Sequence, residues 1–192
     1  MITNMVFGLI LAPKPPLSIE VNDAPRKISV GGQWKSKLAN LNQSDTELRV
    51  VTANGTEFAQ SRPPFLKVFI QKQGAKEWTP LKSPPICGNS NPLTPDEFRP
   101  LAKAQRQEGQ VYFSWTTEVV GQAAVVPGRY ALKVVYDTTS PIDSWIGGPL
   151  PEPAHSQARE AIRPFFNQVP RGVFESKPVE FVVAATTSAR AR

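Results

Sequence analysis

The sequence predicts an all-β fold, an antiparallel sandwich of about seven strands. Apolar and polar residues alternate with a period of two in short segments, and turn residues separate these segments. Twenty prolines in 192 residues disfavour long helices. No strong helical pattern occurs before residue 153. The length suits one domain with its own hydrophobic core.

The alternating segments recur along the whole chain. In order they read PLSIEVN, ISVGGQWKSKLANLN, TELRVV, PPFLKVFIQKQG, EGQVYFSWT, VPGRYALKVVYD and SKPVEFVVA. In the sixth, Tyr130, Leu132, Val134 and Tyr136 fall on one face, which we expect to be buried. The fourth is apolar on both faces, which predicts a central position in its sheet.

Two segments exceed a minimal sandwich and are predicted as loop insertions, 81–109 and 140–172. The first is rich in turn residues and contains Cys87. The second contains a short predicted helix from about Pro153, a residue suited to a first helical position, to Phe166.

The predicted domain covers residues 16–185. Before it, the apolar run 5–12 is too short to span a bilayer, which takes about 20 residues. The segment 1–15 is therefore either a remnant of a signal peptide or an apolar tail that docks on the domain or on a partner. Residues 186–192 are predicted to form a basic, mobile tail.

Several of these segments resemble one known family. GQWKSKLANLN, then EFRPLAKAQ before QVYFSW, then VPGRYALKVVYD and VFESKPVEFVV resemble a bacterial immunoglobulin-like domain of secreted, periplasmic or surface proteins, over about residues 17–184. The resemblance implies an immunoglobulin-like sandwich with a binding, spacing or subunit role and no catalytic residue. It also implies export to the periplasm, the cell surface or the medium.

The charge and the titratable residues exclude several kinds of site. A net charge of +6 permits an anionic partner such as a membrane surface, but no nucleic-acid recognition motif is present, so nucleic acid is not expected. A catalytic triad would have to use His155, the only histidine, which we expect to be exposed. A single histidine and a single cysteine leave no typical metal set. We therefore expect no enzyme activity, cofactor, metal or small-molecule substrate.

Four large apolar residues in the second insertion, Trp145, Ile146, Phe165 and Phe166, are the candidate site. They either fold back over the sandwich or form an anchor for a protein partner. The leading hypothesis is a non-catalytic binding or structural subunit of a larger exported or membrane-associated assembly, with these residues as the partner-binding site. The alternative is a protease-inhibitor-like domain that presents loops 52–64, 81–109 and 140–172 to an enzyme.

Overall fold

The computed structural model describes residues 14–51, 63–82, 92–116 and 126–185. Within these ranges the chain is all-β, as predicted, with several antiparallel sheets. The strands are β1 (Leu17–Asn22), β2 (Lys27–Ser29), β3 (Gln33–Asn42), β4 (Leu48–Val51), β5 (Phe65–Lys72), β6 (Thr79–Pro80), β7 (Phe98–Leu101), β8 (Arg106–Ser114), β9 (Gly128–Asp137), β10 (Val173–Glu175) and β11 (Val179–Ala184). The helices are α1 (Ile142–Trp145) and α2 (Ala154–Phe166), and a 3₁₀ turn covers Pro95–Glu97.

Two sheets share the main core, an arrangement that fits a β-sandwich. The smaller sheet has the order β1-β3-β8, and the larger has the order β2-β11-β9-β5-β6. Strand β10 pairs with the last three residues of β9. It lies on the same side of β9 as β11, which pairs with the first half of that strand. The pairings in these two sheets are antiparallel, except that β2 runs parallel to β11.

The alternation in the sequence predicts the buried faces correctly. Tyr130, Leu132, Val134 and Tyr136 are each at most 3% exposed, and they pack in one cluster with residues of β1, β3, β5 and β11. Because successive side chains of a strand point to opposite faces, the residues between them, Ala131, Lys133 and Val135, point away from this core. The intervening Val135, however, is also buried, on the outer side of the sheet.

The structure has more strands than the seven predicted, for a physical reason. Strands β2, β6 and β10 are only two or three residues long, too short to show a period of two. The predicted first insertion, 81–109, contains β7 and the start of β8. The place of β5 also differs, since it pairs with β9 and the two-residue β6, and β9 is the central strand.

The side-chain amide of Asn42 joins the end of β3 to β7 and to the turn between β3 and β4. Its Nδ2 donates to the carbonyl oxygens of Thr46 and Leu101, at 2.7 and 2.8 Å. Its Oδ1 accepts from the backbone N–H and the hydroxyl of Ser44, at 2.8 and 2.7 Å. This buried amide thus fixes the two-stranded sheet of β4 and β7 against the smaller sheet of the sandwich.

Asp137, at the end of β9, makes the stability of the fold sensitive to acid. Burial raises its pKa, but hydrogen bonds from the N–H and hydroxyl of Thr139 and from Lys67 outweigh burial, so that the pKa lies below its ordinary value. A carboxylate with a lowered pKa stabilises the folded state above its unfolded pKa of about 3.9, and this stabilisation is lost as the pH falls through the folded pKa.

We expect Asp137→Asn to be less stable than the natural chain at pH 7 and to lose less stability between pH 5 and the acid limit of folding. Urea midpoints measured at a series of pH values check this. The same slope against pH in both proteins would contradict a stabilising role for the ionised Asp137.

Candidate functional site

The predicted partner-binding residues lie in a second hydrophobic cluster beside the sandwich. This helix-side cluster comprises Val51, Leu93, Phe98, Trp145, Ile146, Ile162 and Val169. Trp145 and Ile146 have no exposed surface, while Phe165 and Phe166 are half-buried and pack against the cluster. The indole ring of Trp145 stacks on the phenyl ring of Phe98, with 6.1 Å between the centroids and 14° between the planes.

Helix α2 presents an apolar side to this cluster because Ala158, Phe165 and Phe166 lie one turn from Ile162 and pack with it. Pro164 lies inside the helix, which continues to Phe166 rather than ending before the proline. Helix α1 precedes it and places Trp145, whose Nε1 donates to the carbonyl oxygen of Ser140 at 3.1 Å. The polar end of the indole is therefore satisfied without a partner protein.

Two arginines cover the outer rings of the helix-side cluster. The guanidinium of Arg171 lies 4.6 Å from the ring centroid of Phe166, and that of Arg49 lies 4.9 Å from that of Phe165. Burial lowers the pKa of Arg171. Arg49 also donates to the carbonyl oxygen of Phe98 at 2.7 Å.

The structure thus brings the four predicted residues together. Of the two alternatives given above, their position matches the one in which they fold back against the sandwich. Trp145 and Ile146 cannot serve as exposed anchors, because both are fully buried in the helix-side cluster. A partner-binding role at this place stays a prediction, and a partner would reach it through the exposed parts of Phe165 and Phe166.

A different surface, on the larger sheet, has the properties of a ligand site. A cavity of about 520 Å³ lies at the end of the sheet formed by the start of β9, the end of β5, β11 and the residue before β2. We call it the basic cavity. Its polar lining consists of three cations, one carboxylate and two amides, namely Arg26, Lys72, Arg129, Glu180, Gln71 and Gln73.

Strand register sets the positions of these side chains. Ala131 pairs with Gln71 on β5 and with Glu180 on β11, so a residue with a short side chain lies between two longer ones. All three belong to the alternate positions of their strands that do not face the main core. The methyl group of Ala131 therefore leaves room above the centre of the sheet, and this room forms part of the basic cavity.

The charges of the basic cavity are not neutralised within the described part of the chain. Arg26, Lys72, Arg129 and Glu180 are exposed, and none of them has an ion-pair partner among the described residues. Other surface cations do have one, such as Lys133, whose Nζ lies 2.7 Å from Glu175. Three cations against one carboxylate give the basic cavity a positive potential that favours anions.

Next to the basic cavity, the outer face of the larger sheet carries aromatic side chains under a lysine. The ammonium of Lys133 lies 5.1 Å from the ring of Trp78 and 5.7 Å from that of Phe69. Both rings are half-buried under the side chain of Lys133. Phe69 belongs to the outer face of β5, so this cover explains why β5 has apolar residues on both faces without lying at the centre of its sheet.

Among the described residues, no group of three or more His, Cys, Asp or Glu side chains could hold a metal ion. His155, which we expected to be exposed, is half-buried, and its Nδ1 lies 3.6 Å from a carboxylate oxygen of Glu152. In the same ranges, no helix is long and apolar enough to cross a membrane. Cys87, the run 5–12, the tail 186–192 and most of the loop 52–64 lie outside the described residues.

Sequence reasoning missed the basic cavity. Arg26, Lys72 and Arg129 look scattered along the chain, and only the pairing of β2, β11, β9 and β5 brings them together. One signal was available in the sequence, because Arg129 and Ala131 both fall on the predicted outer face of the clearest strand.

The chain matches no family model and no curated protein. Among solved structures, it is similar to the alkylpurine DNA glycosylase AlkC of Pseudomonas fluorescens, with a TM-score of 0.40 and 10% identity over 89% of this chain and 31% of that one. It is also similar to a β-glucosidase from Listeria innocua, with a TM-score of 0.33 and 14% identity over 88% of this chain and 16% of that one.

A third similar structure is AvmM, which catalyses macrocyclization in alchivemycin A biosynthesis. Its TM-score is 0.38, with 10% identity over 93% of this chain and 94% of that one. The chain spans less than a third of the length of the glycosylase and the glucosidase. At these TM-scores the likenesses carry no argument about the function of this chain.

Proposed function

We propose that the chain is a non-catalytic binding domain with an immunoglobulin-like sandwich, and that its basic cavity holds an anionic ligand. The observation that carries the proposal is the set of three cations, Arg26, Lys72 and Arg129, which line one cavity and have no ion-pair partner among the described residues. Such unpaired charges cost stability through mutual repulsion, and an anion in the cavity would relieve that cost.

The immunoglobulin-like part of the proposal is supported by a tyrosine near the start of β9. The hydroxyl of Tyr130 donates to the carbonyl oxygen of Val126 at 2.9 Å, four residues upstream. A tyrosine that bonds back to the backbone at this corner is a hallmark of immunoglobulin-type sandwiches.

The packing between the sheets departs from that of antibody domains in one respect. Immunoglobulin domains join their two sheets with a disulfide packed against a tryptophan, and this chain has one cysteine. Aromatic rings occupy the space between the sheets instead. The ring of Trp115 lies 4.9 Å from that of Tyr130 and 5.3 Å from that of Phe181, centroid to centroid.

The wider role predicted from the sequence remains part of the proposal. We retain a binding or structural subunit of an exported or membrane-associated assembly, an assignment that comes from the family resemblance. The protein partner would approach the half-buried Phe165 and Phe166, while the basic cavity would hold the anion.

The proposal is tested with anionic probes and a matched pair of charge reversals. We expect the purified full chain to bind poly-L-glutamate or phosphatidylserine-containing vesicles, and to bind them less tightly as salt is added. Arg129→Glu should weaken this binding roughly tenfold, because it replaces an attractive charge with a repulsive one at the site.

Arg99→Glu is the control, since Arg99 is exposed on β7, outside the lining of the basic cavity. Both variants change the net charge by the same amount. A difference in binding between them would therefore come from the local position of Arg129 in the basic cavity. Equal weakening by the two variants would reduce the binding to non-specific charge attraction, and no binding to any anionic probe would also overturn the proposal.

A further inference from the structure

We infer that the ligand of the basic cavity is an acidic oligosaccharide, a di- or trisaccharide that carries carboxylate or sulfate groups. The inference rests on the proposed function, since it names the chemical class of the anion that the cavity would hold. It is argued from the size, the lining and the place of the cavity in the sheet.

The size fits a small organic ligand. A volume of about 520 Å³ falls within the range of about 300–1,000 Å³ that small-molecule sites occupy. A single phosphate or sulfate ion would leave most of this volume empty. The apolar part of the lining, which includes Ala131 and the exposed Val182, offers a surface against which the C–H groups of a sugar ring can pack.

The lining is complementary to a ligand that carries hydrogen-bond donors as well as negative charge. Glu180 is a carboxylate that only accepts hydrogen bonds, and it would repel a ligand that consists of anionic groups alone. The amides of Gln71 and Gln73 both donate and accept. Gln71 already donates through Nε2 to the carbonyl oxygen of Ala75 at 3.0 Å, which leaves its Oε1 as an acceptor. Hydroxyl groups beside a carboxylate or sulfate match this mixture.

The place of the cavity argues against a peptide that adds a strand. The cavity crosses β11 and β9, whose backbone groups already pair with neighbouring strands on both sides. At its rim, Gln73 N–H donates to the carbonyl oxygen of Arg129 and Val182 N–H to that of Arg26, both at 2.9 Å. A ligand of the cavity is therefore bound by side chains. A peptide that adds a strand would need an unpaired sheet edge, which the cavity does not offer.

The cavity also offers no aromatic face to a nucleobase. Tyr130 and Phe181 belong to its lining, but their rings are 3% exposed and stack on each other in the main core, with 5.9 Å between centroids. Bases in single-stranded or nucleotide ligands gain much of their affinity from stacking on such rings. The chemistry that remains is a hydroxylated anion.

The test compares four probes on the full chain by titration calorimetry. They are trigalacturonate, a sulfated heparin disaccharide, uncharged maltotriose and tripolyphosphate. We expect one or both acidic oligosaccharides to bind, with the stronger of the two distinguishing carboxylate from sulfate. Maltotriose and tripolyphosphate should bind at least roughly tenfold more weakly than that oligosaccharide, since each lacks half of the required chemistry.

Three variants place the binding in the cavity. Arg129→Glu should lower the affinity for the acidic oligosaccharide roughly tenfold, and Ala131→Leu should do so by filling the space without changing the charge. Glu180→Gln should lower the affinity for the oligosaccharide relative to that for tripolyphosphate. Arg99→Glu should change none of these values more than about twofold, and thermal melting confirms that each variant is folded.

The outcomes separate this inference from the proposed function. Tripolyphosphate or poly-L-glutamate that binds as tightly as the oligosaccharides, with loss in Arg129→Glu, would overturn the inference and keep an anion site. Oligosaccharide binding that survives Ala131→Leu would also overturn it. The absence of binding to all anionic probes would overturn both.

Discussion

Leu132→Asp is expected to abolish cooperative folding. Leu132 is 1% exposed at the middle of β9, where it pairs with Ile70 on one side and Val179 on the other. The change removes an apolar side chain from the core, at a cost of about 2–5 kcal/mol, and puts a carboxylate in its place, which costs several kcal/mol more. The sum approaches the whole stability of a typical domain, about 5–15 kcal/mol.

The measurement is a urea titration followed by tryptophan fluorescence, together with near-ultraviolet circular dichroism. We expect the variant to lack the sigmoidal transition of the natural chain. Arg129→Asp is the control, because it introduces the same carboxylate on the same strand at an exposed position. A cooperative transition in Leu132→Asp near that of the control would contradict the position of Leu132 in the core.

Trp145→Ala is expected to lower the free energy of unfolding by about 3–5 kcal/mol. The side chain has no exposed surface, and its ring also meets that of Phe166 edge to face, with 4.9 Å between the centroids. Its removal would leave a cavity next to Phe98 and would remove the hydrogen bond from the indole N–H to the carbonyl oxygen of Ser140, which keeps its second hydrogen bond, from Arg171. Both effects destabilise the folded state.

The control is Trp78→Ala, which removes the same side chain from a half-buried position on the outer face of the larger sheet. We expect it to cost measurably less than Trp145→Ala, because less apolar area returns to water and no closed cavity is left in the core. Urea midpoints and slopes of the two variants decide the comparison. Equal small losses in the two variants would indicate that Trp145 is not buried in solution and would restore it as a candidate anchor.

The result for Trp145 bears on the role of the segment 140–172. If Trp145, Ile146 and Ile162 hold this segment against β4 and β7, the segment is part of the folded structure. A partner could then use its outer surface, with Phe165 and Phe166, but could not insert the whole apolar group into its own pocket. The covering role and a partner-binding role at the rim are compatible.

The all-β class and most of the buried faces follow from local patterns in the sequence. The period of two in segments such as VPGRYALKVVYD is a local property, because the backbone of a strand turns successive side chains to opposite faces whatever its neighbours are. The helix at Ala154–Phe166 was predictable for a similar reason, since the preference of Pro153 for a helix start and the apolar spacing act within a few residues.

The contacts between distant side chains, in contrast, depend on how the strands pair and pack. The burial of Trp145 depends on Phe98, in a segment that the sequence predicted as a loop, and the basic cavity depends on residues 26, 72 and 129. These contacts join positions that are dozens of residues apart, and strand pairing, which no local pattern encodes, creates them. A single sequence therefore shows an arginine on an outer face, but the register of four strands decides whether three cations surround one cavity.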